Sequence, residues 1–270
     1  MSPPFAPASA RATPRVVPVA PARRARRLSV RAAARGDDGG GPGGFWRKLF
    51  TGELGVASAG ANAKPWSGDE SAECAMLREN VLRDTTLYST RLLLRYDASE
   101  HGWNAAAFHD KVDNMGPAFL IAKTKHGGYF GAFNPVGWAS REDYRDCYGA
   151  FLVKWPKPGS TKEQPLILPK QGGPGAAIFD FGAEGPIFGA EALKIPLGRA
   201  PSMGSSYAQL GGAALFGGGK EVKTAKSRLG EYYSPEDGTR SLFAAKDGQT
   251  QAELLELRVY SGEGLDGVYG

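Results

Sequence analysis

A chain of 270 residues carries 33 lysines and arginines against 28 aspartates and glutamates, a formal net charge of +5. Eight of the arginines, Arg11, Arg15, Arg23, Arg24, Arg26, Arg27, Arg31 and Arg35, crowd the first 35 positions, where no acidic residue occurs. Beyond them acidic residues outnumber basic ones, which excludes a nucleic-acid-binding surface spread over the folded part. Two cysteines, Cys74 and Cys147, and three histidines, His101, His109 and His126, are too few for a disulfide framework or a structural zinc. No two histidines stand at the i, i+4 spacing of a helical metal site, so neither a metal nor a cofactor is implied.

Residues 1–35, rich in Ala, Pro and Arg, have no apolar run long enough for a secretory segment or a membrane span. Their composition is that of an organelle transit peptide, and Val30-Arg31-Ala32-Ala33 resembles a chloroplast stromal processing site. The chloroplast stroma is the expected address, and the shortage of serines keeps the mitochondrion as the alternative. Residues 36–64 read as a flexible linker, glycine-rich from Asp37 to Gly44. It contains the short segment FWRKLF, whose Phe45, Trp46 and Phe50 either pack on the chain's own domain or make a peripheral membrane contact. The folded domain is placed at residues 65–262, followed by a tail at 263–270.

Within that domain, acidic residues in a first turn and apolar residues at helical intervals predict a helix over 69–83, which carries Cys74. An apolar, basic run predicts a strand over 87–96, and Asp97 to Gly102 breaks the chain. Asn104 caps a second helix whose Ala105, Phe108 and Val112 share one face. Strands follow at Ala118 to Thr124 and Tyr129 to Phe133, joined by the turn His126-Gly127-Gly128. Gly131 lies where a ring or a backbone packs closely, and Tyr129, Gly131 and Phe133 are expected between sheet and helix. Trp138 to Asp146 reads as a polar loop or short helical piece. Further strands are predicted at 148–155, 166–168, 176–181, 185–189 and 193–197. Residues 198–241 carry little pattern. The closing strand, Glu253 to Tyr260, alternates Leu255, Leu257 and Val259 with Glu256, Arg258 and Tyr260. Many short strands and two helices predict an α+β fold, a mainly antiparallel β-sandwich of two sheets flanked by two or more helices.

Gly116-Pro117, the Tyr129 to Phe133 strand and Trp138 resemble the TLDc family, as do Arg91 to Tyr96, Gly102-Trp103, Phe108-His109, Gly185-Pro186-Ile187-Phe188-Gly189 and Leu255 to Tyr260. The resemblance implies the two-sheet sandwich and a link to protection against oxidative stress. It brings no agreed enzymatic reaction. Several members of the family regulate the proton-pumping vacuolar ATPase, which a plastid protein does not meet, so the expected partner is an unknown protein or complex of the organelle; the oligomeric state is not readable.

No catalytic constellation stands out. His109 has Asp110 and Asp113 nearby but no nucleophile placed by a motif, and packing is its simpler role. Glu100, His101, His109 and Cys147 are the acid–base or nucleophilic groups available to an alternative small-molecule enzyme, a hydrolase or peroxide-handling activity. That reading requires the four to converge in one pocket. Cys147 is the redox candidate because Arg141 and Arg145 are close in sequence, although Asp143 and Asp146 offset them. Gly219-Lys220-Glu221 lacks the Ser or Thr of a phosphate loop, and Glu142, Asp143 and Asp146 lack the pattern of a calcium loop. Trp103, Tyr129, Asn134 and Trp138 are the interaction candidates, the aromatics as anchors. Function is to be sought at the exit of the hairpin, Asn134 to Trp138.

Overall fold

Apolar side chains on both faces of two adjacent strands set the architecture. In β2 (Ala118–Thr124) and β3 (Tyr129–Asn134) nearly every residue is buried. Alternate residues therefore serve two different cores. The turn between them is closed by Thr124 N–H to Gly128 O at 2.8 Å, with Gly127 in the left-handed region at φ +82°. Gly131 has the close neighbour expected of it: a Cβ there would come within 2.6 Å of the Phe119 ring and 2.7 Å of the Leu120 carbonyl.

The computed structural model describes residues 63–198, 221–233, 238–243 and 249–267. All of them lie in one compact unit, Gly40–Gly270. Residues 1–35, read as a transit peptide, and the FWRKLF segment fall outside the described residues.

The first helix, α1 (Ala72–Asn80), is shorter than its acidic N-terminal flank predicts. Ser71 caps it by accepting the Cys74 N–H at 3.2 Å, and Glu70 turns away to pair with Arg78 at 2.9 Å. Where a strand was expected from Leu87, a 3-10 turn at Thr86–Ser89 comes first and β1 spans only Leu92–Asp97. The break after β1 holds one helical turn, α2 (Ala98–His101). The second predicted helix is α3 (Ala105–Val112), capped by Asn104 Oδ1 on Ala107 N–H at 2.8 Å, with Ala105, Phe108 and Val112 buried on one face as predicted.

The remaining strands are β4 (Asp143–Arg145), β5 (Phe151–Lys154), β6 (Leu166–Pro169), β7 (Ile178–Asp180), β8 (Ile187–Phe188), β9 (Leu193–Lys194), β10 (Thr224–Lys226) and β11 (Gln251–Gly262). β4 lies in a stretch expected to be loop, and β10 in one that carried little pattern. All pairings are antiparallel, in the order β4-β7-β8-β9-β10-β11-β2-β3-β5-β6, with β1 also on β11.

The mainly antiparallel expectation holds, but the described strands are not split into two separate sheets. They form one hydrogen-bonded network of 11 strands, because β11 is long enough to pair with three strands. Its residues Gln251 to Glu253 pair with β10, while Leu254 to Ser261 pair with β2 and Arg258 to Gly262 with β1. The register slips between Leu254 and Glu256, the signature of a bulge that bends the strand. The bulge also corrects the predicted alternation: Leu254 is buried and Leu255 is turned out, 52 % exposed.

Two buried clusters lie on opposite faces of β2 and β3. Leu120, Ala122, Phe130 and Ala132 join Phe108 and Val112 of α3, Trp138, and Ile178, Phe188, Leu193 and Ala225 from the β7 to β10 ladder. On the other face, Phe119, Ile121 and Phe133 meet Leu77, Val81 and Leu82, and Tyr129 packs at the margin. The predicted position of Tyr129 and Phe133 between sheet and helix is therefore correct. Residues placed in the C-terminal tail are tied to the domain, Glu263 N–H to Arg91 O and Gly267 N–H to Asn114 O, each at 2.8 Å.

Candidate functional site

Immediately after Trp138, the chain makes a tight polar loop against α3 and β7. Ser140 and Glu142 both adopt left-handed backbone, φ 50° and 56°, an uncommon conformation for side-chain-bearing residues. The loop wraps around Asp180, the last residue of β7. One Asp180 oxygen accepts the Ala139 N–H at 3.0 Å and the other the Ser140 N–H at 3.1 Å. Asp180 is fully buried, and burial raises its pKa, opposed by the backbone N–H groups it receives and reinforced by the charge of Asp113.

His109, 8 % exposed, projects from α3 into the same knot. Its Nδ1 lies 2.7 Å from Asp113 Oδ1, one helical turn on, and its Nε2 lies 2.9 Å from the Glu184 carbonyl oxygen. Both partners are acceptors only, so both ring nitrogens must donate, and the imidazolium is the state that satisfies them. Burial pulls the His109 pKa down, but the hydrogen bond and charge of Asp113, the Glu184 carbonyl and the charge of Asp180 together raise it above the usual histidine value.

Ser140, His109 and Asp113 invite comparison with a nucleophile, base and orienting acid. In that arrangement the serine and the acid occupy opposite ring nitrogens, so that the base can take the serine proton. Here Ser140 Oγ, 3.1 Å from Nδ1, shares that nitrogen with Asp113, and its own hydrogen goes to Asp113 Oδ2. No proton path runs from serine to histidine. His109, Asp113 and Asp180 also bring one nitrogen and two carboxylate oxygens within 4.8 Å of one another, a grouping able to reach a cation. The hydrogen bonds already described occupy those same atoms, so the cluster acts as a latch among α3, the 139–142 loop and β7.

The sequence-predicted residues fall elsewhere. Trp103 is 4 % exposed and Trp138 is 1 % exposed. Trp138 packs edge-to-face on Phe108 and Phe188, while Lys223 Nζ stands 5.7 Å from the centre of the Trp103 ring. Asn134 is fully buried, its Oδ1 accepting the Val136 N–H at 3.0 Å to shape the turn. Tyr129 alone of the four keeps a partial surface, beside a groove with His126, Trp155, Pro156, Pro158 and Phe243. Cys147 is buried, and burial pushes its thiol pKa up, with Arg145 and two backbone N–H groups only partly compensating.

Glu100, His101, His109 and Cys147 are not brought into one described cavity. Glu100 is exposed on α2. His101 stacks on Tyr96 and accepts the Asp97 N–H at 3.0 Å. His109 is in the latch, and the Cys147 N–H bonds the Pro174 carbonyl. Sequence reading passed over Ser140 and Asp180. Asp180 did leave a signal, since alternation through Ile178, Phe179 and Asp180 places an acid on the buried face of its strand. Asp113 is at i+4 from His109 and therefore directly over it, which separates it from the neighbouring Asp110.

The model of the TLDc domain family matches residues 70–207, just over half of the chain. No curated protein matches it. The matched span contains the latch, the β2–β3 hairpin and the Gly116-Pro117 turn, where Gly116, at φ +72°, has no room for a Cβ beside the Leu265 carbonyl. With its family model covering most of the ordered strands and its core built on these elements, the chain belongs to the TLDc domain family.

Proposed function

We propose that this TLDc protein is a non-enzymatic interaction module of the plastid stroma, acting in oxidative-stress protection or in the regulation of a protein complex. One observation carries the reading: His109, the buried histidine of the domain, spends both ring nitrogens on acceptor-only partners. A group so committed holds structure rather than moving protons. The burial and raised pKa of Cys147 support a packing role for that thiol. The acid-free, arginine-rich residues 1–35 support an organelle address. Among the described residues no helix is long and apolar enough to cross a membrane. Tyr129, half-buried beside its groove, is the interaction candidate that can reach a partner without unfolding the core.

The test is affinity purification of the tagged chain from isolated plastids, with Tyr129→Ala in parallel and a reporter fused to residues 1–40 to check the address. The expected result is a plastid reporter and a partner recovered with wild type and depleted with the variant. Peroxide turnover by the purified protein, lost in Cys147→Ser, would reverse the reading.

A further inference from the structure

Loss of a proton from His109 cannot leave the latch as it stands. The imidazolium donates from Nδ1 to Asp113 Oδ1 at 2.7 Å and from Nε2 to the Glu184 carbonyl at 2.9 Å. A neutral ring keeps one N–H, so one of the two contacts becomes acceptor against acceptor. Nδ1 is the nitrogen that keeps its hydrogen, because its partner is a carboxylate and a charge-assisted bond is roughly twice as strong as one to a carbonyl. Ser140 favours the same choice: its hydroxyl donates to Asp113 Oδ2 and holds the carboxylate against the ring. Nε2 is then left with a lone pair aimed at a carbonyl oxygen in a buried site, a contact that has to open.

Which side moves follows from how each is tied. The 139–142 loop stays on β7, since Asp180 accepts the Ala139 and Ser140 N–H groups and the Glu142 N–H reaches the Asp180 carbonyl at 2.9 Å. The Glu184 carbonyl belongs to the turn between β7 and β8, closed by Glu184 N–H to Phe181 O at 3.0 Å, with Ala183 exposed at its tip. Gly185 ends the turn against the Ile195 carbonyl, with no room for a Cβ. The charged groups around the ring are Asp113 on its own helix and Asp180 at the end of β7, while Arg145 of β4 acts on Asp180. The Glu184 carboxylate turns to Lys194 at 3.1 Å, and that of Glu142 accepts the Gly182 N–H. We propose that His109 is a pH-operated catch for the β7–β8 turn: the charged ring holds the turn to α3 through the Glu184 carbonyl, and the neutral ring releases that contact while the Asp113–Ser140 side stays closed. Phe181 belongs to the turn, with its ring centre 6.2 Å from Phe179, which is 6.0 Å from the exposed Tyr144, so the catch is coupled to an aromatic surface. The inference goes beyond the interaction reading above and stands whether or not a plastid partner exists.

The experiment is an NMR titration of the full chain from about pH 5 to about pH 9, reading the His109 ring nitrogens and the backbone amides together. Both nitrogens are expected to be protonated at the acid end. At the basic end only Nδ1 is expected to carry hydrogen, the reverse of the tautomer that an unrestrained histidine favours. The amides of Gly182 to Gly185 are expected to shift with the His109 midpoint and those of Ala139 and Ser140 to stay, a contrast that general loosening of the domain does not produce. Asp113→Asn is expected to lower the midpoint by about one pH unit or more and to carry the turn signals with it, and His109→Gln to abolish their response. A neutral ring protonated on Nε2, turn amides that ignore the His109 midpoint, or an unchanged midpoint in Asp113→Asn overturns the proposal.

Discussion

His109 links protonation to the packing of three elements. Its folded pKa is raised above the ordinary value of about 6.5, so the folded state binds the proton more tightly than the unfolded chain does. The stabilisation is then fully present below about pH 6.5 and is lost as pH rises through the folded pKa. The urea midpoint of wild type is expected to fall on going from about pH 6 to about pH 8, and the fall to shrink in His109→Gln. Two indistinguishable pH profiles would remove the latch. Asp180, also raised, works in the same direction, but its window opens from the ordinary carboxylate range upward and so reaches the acid side that His109 leaves flat. At this scale residue types were easier to read than directions. Trp103, Trp138 and Asn134 stand out in the sequence as large or polar residues near a turn, yet each points inward, because orientation depends on which neighbouring element needs covering.

Among the elements, the β2–β3 hairpin was the most legible, since alternation, a Gly-Gly turn and a glycine facing an aromatic ring are all local signals. α1 was less so. Its N-terminus is set by Ser71 and by the withdrawal of Glu70 to Arg78, a buried residue that also donates to the Leu87 carbonyl at 2.9 Å and the Tyr88 carbonyl at 2.5 Å. Arg78 thereby ties α1, the 3-10 turn and Glu70, ahead of the helix cap, into one unit, with Trp66 stacked against it at 5.6 Å. Replacing it with methionine keeps the volume but strands Glu70 and two carbonyls. Arg78→Met is expected to cost roughly 3 kcal/mol or more in chemical denaturation, and Glu70→Gln distinctly less. Equal, small effects would mean that the network is solvated and contributes little. β11 was misread in its facing at Leu254 and Leu255, the former buried and the latter exposed, because the bulge there depends on pairing with β2 and β10, which the strand's own sequence does not encode.

For the whole molecule, the family match and the structural unit have different ends. The match stops at residue 207, whereas β11 begins at Gln251, pairs with β1, β2 and β10, and places Leu254, Leu257 and Val259 in one core and Tyr260 in the other. A chain truncated after residue 207 is therefore expected to lack cooperative thermal unfolding, since removing β11 exposes both cores and parts the sheet at its middle. A cooperative transition in that fragment would show that the strands before it fold without β11. Length, the confinement of the net positive charge to the first 35 residues, the antiparallel strand content and the hairpin with its family likeness were determined by the sequence alone, because each rests on composition or on contacts within a few residues. Tertiary structure decided that one long strand joins all the ladders, that the conspicuous tryptophans are core, and that His109, Asp113, Ser140 and Asp180 close into a latch. Those outcomes depend on contacts between residues as far apart as His109 and Glu184, whose proximity depends on how the strands between them pack.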